Sequence, residues 1–132
     1  DYHYESTENI RVIKNAPHDL VMAAMSKCRF AVFPSICAES ASTVAREAMS
    51  QRQAIIASSI GGLKEAVVDG ETGILVPPGN PERLSGAISC LLENPDVASR
   101  MGESGYKRLA ENYTADATVH KIIEVYRSLI RI

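Results

Sequence analysis

The sequence predicts an α/β fold, in which a parallel sheet of about four strands carries helices on both faces and the C-terminal end is helical. Short apolar runs typical of buried strands alternate with segments of helical period over residues 11–80. From Pro81 onward, the apolar residues recur at helical spacing only. The 132 residues, of which 45% are hydrophobic and 23% charged, suffice for one domain with a modest core.

The strands are predicted from short runs of β-forming residues that turns or loops interrupt. These runs cover residues 11–15, 30–33, 54–58 and 73–76. Residues 1–10 are polar and aperiodic, so we expect a loop or a frayed end there.

The helices are predicted from apolar residues at helical spacing and from residues that suit helix ends. They cover residues 17–28, 42 onward, 61–68, 81–92, 96–111 and 115 onward. Ser42 is expected to cap its helix, and Pro81 occupies a first helical position, where its missing N–H costs nothing. Gly102 and Gly105 are expected to weaken the centre of the helix at 96–111.

Charge and hydropathy exclude several classes of partner. A formal net charge of −2 argues against a nucleic-acid surface or a polybasic membrane anchor. We expect no signal peptide, and the sequence has no apolar run of the roughly 18 residues that a membrane span needs. Cys28, Cys37 and Cys90 lie far apart, which fits a reducing compartment, and all three are expected to be buried and inert. We expect a cytoplasmic protein, and peripheral attachment of a longer parent protein to a membrane stays open.

Residues 30–49 are predicted to form a strand, a loop of small residues and a helix. The loops that follow parallel strands meet at the carboxyl edge of the sheet, where ligands bind, so the loops at 34–42 and 58–62 should share that edge. The first turn of a helix has backbone N–H groups without partners and a partial positive charge, and both features suit a phosphate.

Glu39 and Glu47 flank this helix start, where their carboxylates could accept hydrogen bonds from the hydroxyls of a ligand. From these two residues alone, the competing interpretation is favoured: a solvated Glu39, and a Glu47 paired with Arg46 or Arg52. The histidines, His18 among them, are scattered and are expected to be surface or structural residues.

Several blocks of the sequence resemble the donor site of the retaining glycosyltransferases called family 4, or group 1, which have the GT-B fold. The first block is Pro-Ser at 34–35, a glutamate at 39 and, after seven residues, Glu-Ala-Met at 47–49. Further blocks stand at 55–58, 61–65 and 69–79. The resemblance covers nearly all of the chain from residue 11. It implies a Rossmann-like sheet within a partial nucleotide-sugar-binding domain over residues 1–132.

This resemblance implies a role for each matching residue in binding a nucleotide diphosphate sugar. Glu39, as the catalytic residue, would contact hydroxyls of the transferred sugar, and Glu47 would hold the ribose. The backbone amides expected at the diphosphate are those of Ser40, Ala41, Ser42 and Thr43. Gly61 and Gly62 would permit a positive φ and close approach of the ligand. The resemblance implies no cofactor and no metal.

The chain also departs from the family pattern. Ser40-Ala41-Ser42 replaces Gly-x-Gly, and Arg52 replaces a glycine, so a left-handed backbone there would cost about 1 kcal/mol. A degenerate, non-catalytic domain that acts in binding or assembly is therefore an alternative. A Rossmann-like nucleotide-binding domain of another family is less favoured, because no Gly-x-Gly-x-x-Gly follows the first strand.

The family also has parts that this chain lacks. Two strand–helix units with an Arg and a Lys that grip the diphosphate should precede residue 11, and an acceptor-binding domain completes the cleft. We therefore expect the chain alone to be inactive. Without the two units, we expect the strand at 11–15 to pair directly with the strand at 30–33. A strand donated by another chain, with a homo-oligomer formed through the sheet edge, and a disordered N-terminal segment are the alternatives.

Overall fold

The computed structural model describes residues 5–40 and 42–130 and confirms the predicted α/β class. The elements in chain order are α1 (His18–Met25), β1 (Phe30–Phe33), α2 (Thr43–Ser50), β2 (Ala54–Ser58), α3 (Gly61–Ala66), β3 (Gly73–Val76), α4 (Pro81–Glu93), α5 (Pro95–Asn112) and α6 (Ala115–Ile130). Three strands therefore alternate with helices, and the chain is helical from Pro81 onward, as the sequence predicts.

The sheet is parallel, with the strand order β1-β2-β3. Every residue of β2 is buried, because helices cover both faces of this central strand. Alternate side chains serve opposite faces: Ile55 and Ala57 join the core beneath α2 and α3, and Ala54 and Ile56 join the core beneath α4 and α5. Both cores therefore depend on the register of one short strand.

The strand predicted at residues 11–15 does not form, and the prediction that it pairs with β1 is wrong. In the part of the chain that the structure describes, the sheet has three strands and not four. Asn15 has φ 52°, a left-handed conformation that an extended strand cannot contain. The backbone N–H of Val12 donates to the Ser6 hydroxyl at 2.9 Å instead of to a neighbouring strand. Two apolar residues at 12–13 suggested a strand that the local backbone prevents.

The two unusual features predicted around Arg52 and Gly102 belong to one contact. Arg52 is left-handed with φ 57°, as expected for a residue that replaces a glycine. Its guanidinium lies 3.7 Å from the centre of the Tyr106 ring and donates to Glu103, and this hydrogen bond raises the pKa of Arg52. On α5, a Cβ added at Gly102 would overlap the Arg52 carbonyl oxygen. The glycine that the sequence marks as a weak point of α5 thus allows this helix to lie against the backbone that leads into β2.

The prediction that the three cysteines are buried is wrong for two of them. Cys37 and Cys90 are exposed, because Cys37 lies in a surface loop and Cys90 lies on the solvent side of α4. Cys28 is half-buried, and its burial raises the pKa of its thiol. The sequence does not distinguish a small apolar residue in the core from the same residue on a surface.

Helix α6 carries the predicted apolar stripe, but that stripe is exposed. None of its residues is buried, and Ile122, Tyr126 and Leu129 are 49%, 61% and 75% exposed. Over residues 5–40 and 42–130, we find no helix with the length and apolar character needed to cross a membrane.

We expect Gly102→Ala to destabilise the protein, because the new methyl group would overlap the Arg52 carbonyl oxygen. Overpacking of this kind costs about 1–3 kcal/mol. Denaturant unfolding followed by circular dichroism measures the loss.

Gly86→Ala is the matched control, since Gly86 also lies inside a helix but a Cβ there meets no atom within 4 Å. This variant should gain up to about 1 kcal/mol from helix propensity alone. Equal effects of the two substitutions would contradict the close approach of α5.

Candidate functional site

Helix α2 begins at the carboxyl edge of the sheet, directly after the loop that follows β1. Ser42 is its N-cap, as predicted, and its side chain accepts a hydrogen bond of 3.4 Å from the Ala45 N–H. Thr43 and Val44 occupy the first turn, where the helix itself offers no acceptor for backbone N–H groups. The first turn therefore directs these donors and the positive end of the helix dipole toward this edge.

The loop that carries Glu39 is held against the start of α3. The Gly62 N–H donates to the Glu39 carbonyl oxygen at 2.7 Å. Gly61 has φ 50°, which confirms the predicted positive φ for this residue, whereas Gly62 does not have a positive φ. A Cβ at Gly61 would lie 2.6 Å from the Glu39 carbonyl oxygen. The close approach that we expected from a ligand is thus made by the Glu39 backbone.

The Glu39 side chain is exposed at this edge. The Ser35 hydroxyl lies 3.2 Å from the Glu39 Oε1 and donates a hydrogen bond to it. Ser35 belongs to the Pro-Ser pair at the end of β1. A side-chain hydrogen bond therefore links the Pro-Ser pair to the glutamate of the same motif block.

Glu47 lies on the second turn of α2, and its side chain is 25% exposed. Its Oε1 lies 3.0 Å from the His18 Nε2 at the start of α1. The ion-pair partners considered from the sequence have other contacts: Arg46 lies over the Tyr113 ring at 5.0 Å, and Arg52 pairs with Glu103. His18 is thus a neighbour of the site, and the sequence analysis did not identify it. Its position at the start of a helix, on the same edge of the sheet, could have indicated this.

The remaining predicted residues differ in exposure. Ser40 and Thr43 are exposed, Ser42 and Gly62 are buried, and Ala41 lies outside the described residues. From the positions of Glu39 and Glu47 on either side of the helix start, we also predict that both carboxylates face one open cleft. This stays a prediction, as does the role of each residue. Across the described parts of the chain, no group of three or more His, Cys, Asp or Glu side chains is arranged as a metal site.

The loops expected at the carboxyl edge do meet there. A cavity of about 180 Å³ is lined by residues that include Pro34, Ser58 and Val76, each at the end of a strand or directly after it. Neither Glu39 nor Glu47 lines this cavity.

Together, the parallel sheet and this edge define an α/β domain of the kind that binds ligands beyond the carboxyl ends of its strands. The family described as glycosyl transferases group 1 matches residues 1–108. The chain belongs to this family.

Individual relatives agree with the family match. The chain is 33% identical over 135 residues to an uncharacterized glycosyltransferase of Methanocaldococcus jannaschii, covering 96% of this chain and 38% of that protein. It resembles the sucrose-phosphate synthase of Thermosynechococcus elongatus with a TM-score of 0.78 and 32% identity, covering 90% of this chain and 30% of that one. Anabaena HepE in complex with UDP-glucose shares the fold, with a TM-score of 0.72 and 23% identity over 80% of this chain and 29% of that one.

The chain spans only about a third of the length of the curated relatives that it matches. The covered shares of three of them are 38%, 29% and 28%.

We expect Gly61→Ala to displace the Glu39 loop, because the new Cβ would lie within 2.8 Å of both the Glu39 nitrogen and oxygen. The left-handed backbone adds about 1–2 kcal/mol, and the steric conflict adds a similar amount. Thermal unfolding and the protease sensitivity of the loop measure the two effects.

The control is Gly70→Ala, since Gly70 also has a positive φ of 76° but a Cβ there meets nothing within 4 Å. It should show the backbone cost without the displaced loop. A Gly61→Ala protein as stable as Gly70→Ala would disprove the tight contact.

Proposed function

We propose that this chain is the donor-binding segment of a glycosyltransferase that transfers a sugar from a nucleotide diphosphate sugar to an acceptor, with retention of configuration. The observation that carries the proposal is the bond from the Gly62 N–H to the Glu39 carbonyl oxygen at 2.7 Å. It holds the loop with one motif glutamate against the start of α3, and this loop leads directly into the capped helix that carries the other. Family membership and the order of the motif blocks support the same assignment.

In this proposal the diphosphate meets the first turn of α2. The donors are backbone amides from Ser40 to Thr43, where Ser42 already satisfies the Ala45 N–H and leaves the earlier groups for a ligand. Negative charge grows on the diphosphate as the sugar leaves. Fixed N–H donors and the helix dipole stabilise that charge without rearranging. We expect this arrangement to need no metal and no cofactor.

The two glutamates would then hold the sugar units on either side of the diphosphate. An ionised carboxylate is an acceptor only, with about four lone-pair positions, so it suits a pair of sugar hydroxyls. Glu39 would contact the transferred sugar from its loop, and Glu47 would contact the ribose from the second turn of α2. Gly61 and Gly62 would act by holding the Glu39 loop in place.

The acceptor and the rest of the cleft would come from a domain outside these residues, in a cytoplasmic protein. The chain spans 38% or less of the length of three curated relatives, which is consistent with such a division. A screen of the full-length protein against UDP-, GDP- and ADP-sugars tests the proposal. Binding and transfer with one donor would support it, whereas binding without any transfer would favour the non-catalytic alternative.

In the full-length protein, we expect Glu39→Gln to lower the transfer rate by roughly ten- to a hundredfold, the loss of one charge-assisted hydrogen bond of about 1.5–3 kcal/mol. Stability should change little, because the side chain is exposed. Steady-state kinetics and thermal unfolding measure both quantities.

Glu71→Gln is the matched control, since this exposed glutamate lies in the turn before β3, at the opposite edge of the sheet. It should leave transfer unchanged. Equal losses of activity in the two variants, or a loss of stability in Glu39→Gln that matches its loss of activity, would indicate that Glu39 is structural.

We expect the isolated chain to bind nucleotide sugars at least about a hundredfold more weakly than the full-length protein. The Arg and Lys implied by the family resemblance would each supply a charge-assisted bond of about 1.5–3 kcal/mol. Isothermal titration calorimetry of both proteins makes the comparison. A micromolar dissociation constant for the isolated chain would show that the helix start suffices.

A further inference from the structure

We propose that His18 is a positioning residue that holds Glu47 toward the nucleoside ribose, and that it thereby sets the preference of the site for ribonucleotides over 2′-deoxyribonucleotides. This inference rests on the proposed function, which places the ribose at Glu47. His18 lies outside the motif, and the preference for ribonucleotides can be measured.

Topology brings the two residues together from different parts of the chain. Helix α1 leads into the start of β1, so its first residue, His18, lies at the carboxyl edge of the sheet. Helix α2 leaves the end of β1 at that same edge, and Glu47 lies one turn into it. The pair therefore joins two neighbouring helix starts across 29 residues of sequence.

The contact engages one carboxylate oxygen and leaves the other available. The distance from the His18 Nε2 to the Glu47 Oε1 is 3.0 Å. Because an ionised carboxylate only accepts, Nε2 must carry the proton in this bond. Among the described residues, the Glu47 Oε2 has no hydrogen-bond partner. The imidazole thus restricts the rotation of the carboxylate and leaves lone pairs for the 2′- and 3′-hydroxyls of a ribose.

A purely structural role accounts poorly for this bond. The His18 side chain is 71% exposed, and α1 has no buried residue. A single hydrogen bond from so exposed a side chain contributes little to folding, so removing it should hardly change stability. Its main effect is on the orientation of Glu47, whose hydrogen bonds to a diol depend on the angle of the carboxylate.

The test measures dissociation constants of the full-length protein for UDP, GDP and ADP and for their 2′-deoxy analogues. The wild-type protein should prefer one ribonucleotide over its deoxy form. His18→Ala should reduce that preference by roughly three- to tenfold, the loss of one oriented hydrogen bond. His18→Gln, which retains a donor nitrogen, should keep most of it, and His120→Ala on the exposed face of α6 should keep all of it.

A double-mutant cycle shows whether His18 acts through Glu47. In a Glu47→Ala background, His18→Ala should cause no further change in the preference. A wild-type protein that binds a diphosphate but does not distinguish ribose from deoxyribose overturns this inference alone. A His18→Ala protein that loses affinity equally for both forms, or whose loss follows a lower melting temperature, also overturns it. A wild-type protein that binds none of the three diphosphates overturns the proposed function as well.

Discussion

The burial of strand β2 on both faces is the constraint on which the rest of the structure depends. A strand covered on both sides must be largely apolar, and its neighbours must come close enough to exclude water. At two places that approach requires the absence of a Cβ: Gly73 faces the Ile55 carbonyl, and Gly102 faces the Arg52 carbonyl. Glycines have low helix and strand propensity, but here they are the positions at which one backbone segment packs directly against another. The stability of this small domain depends on those contacts.

The same constraint fixes the site. Ala45, Ala48 and Met49 are fully buried and hold α2 against β2, so the start of α2 cannot move independently of the sheet. The other side of this helix carries Glu47. The loop before α2 is fixed from the opposite direction by the start of α3. The start of α2 and the backbone of the Glu39 loop are thus held in place by the fold, and the stabilisation of charge by fixed dipoles that we propose depends on such preorganisation.

The sequence could predict what local pattern determines. β1, β2 and β3 follow from short β-forming runs, and the Ser42 cap follows from the change of period at the helix start. The missing strand at 11–15 could not be foreseen, because a strand also requires a partner and an extended backbone, and Asn15 turns the chain. The contact between His18 and Glu47 was missed for a similar reason: the sequence does not reveal which residues of two helices face each other.

The different settings of the two glutamates match the different tasks proposed for them. Glu47 lies on a helix, is bonded to a histidine and is largely shielded from solvent. This setting suits recognition of the ribose, which is the same in all nucleotide sugars that share one nucleotide. Glu39 is exposed on a loop, where water competes for every hydrogen bond and weakens it. Its contacts with a sugar would become strong only when water is excluded by a surface beyond these residues. Under the proposed function, the chemistry at Glu39 would therefore depend on closure of the cleft, whereas recognition of the ribose at Glu47 could be built within this domain.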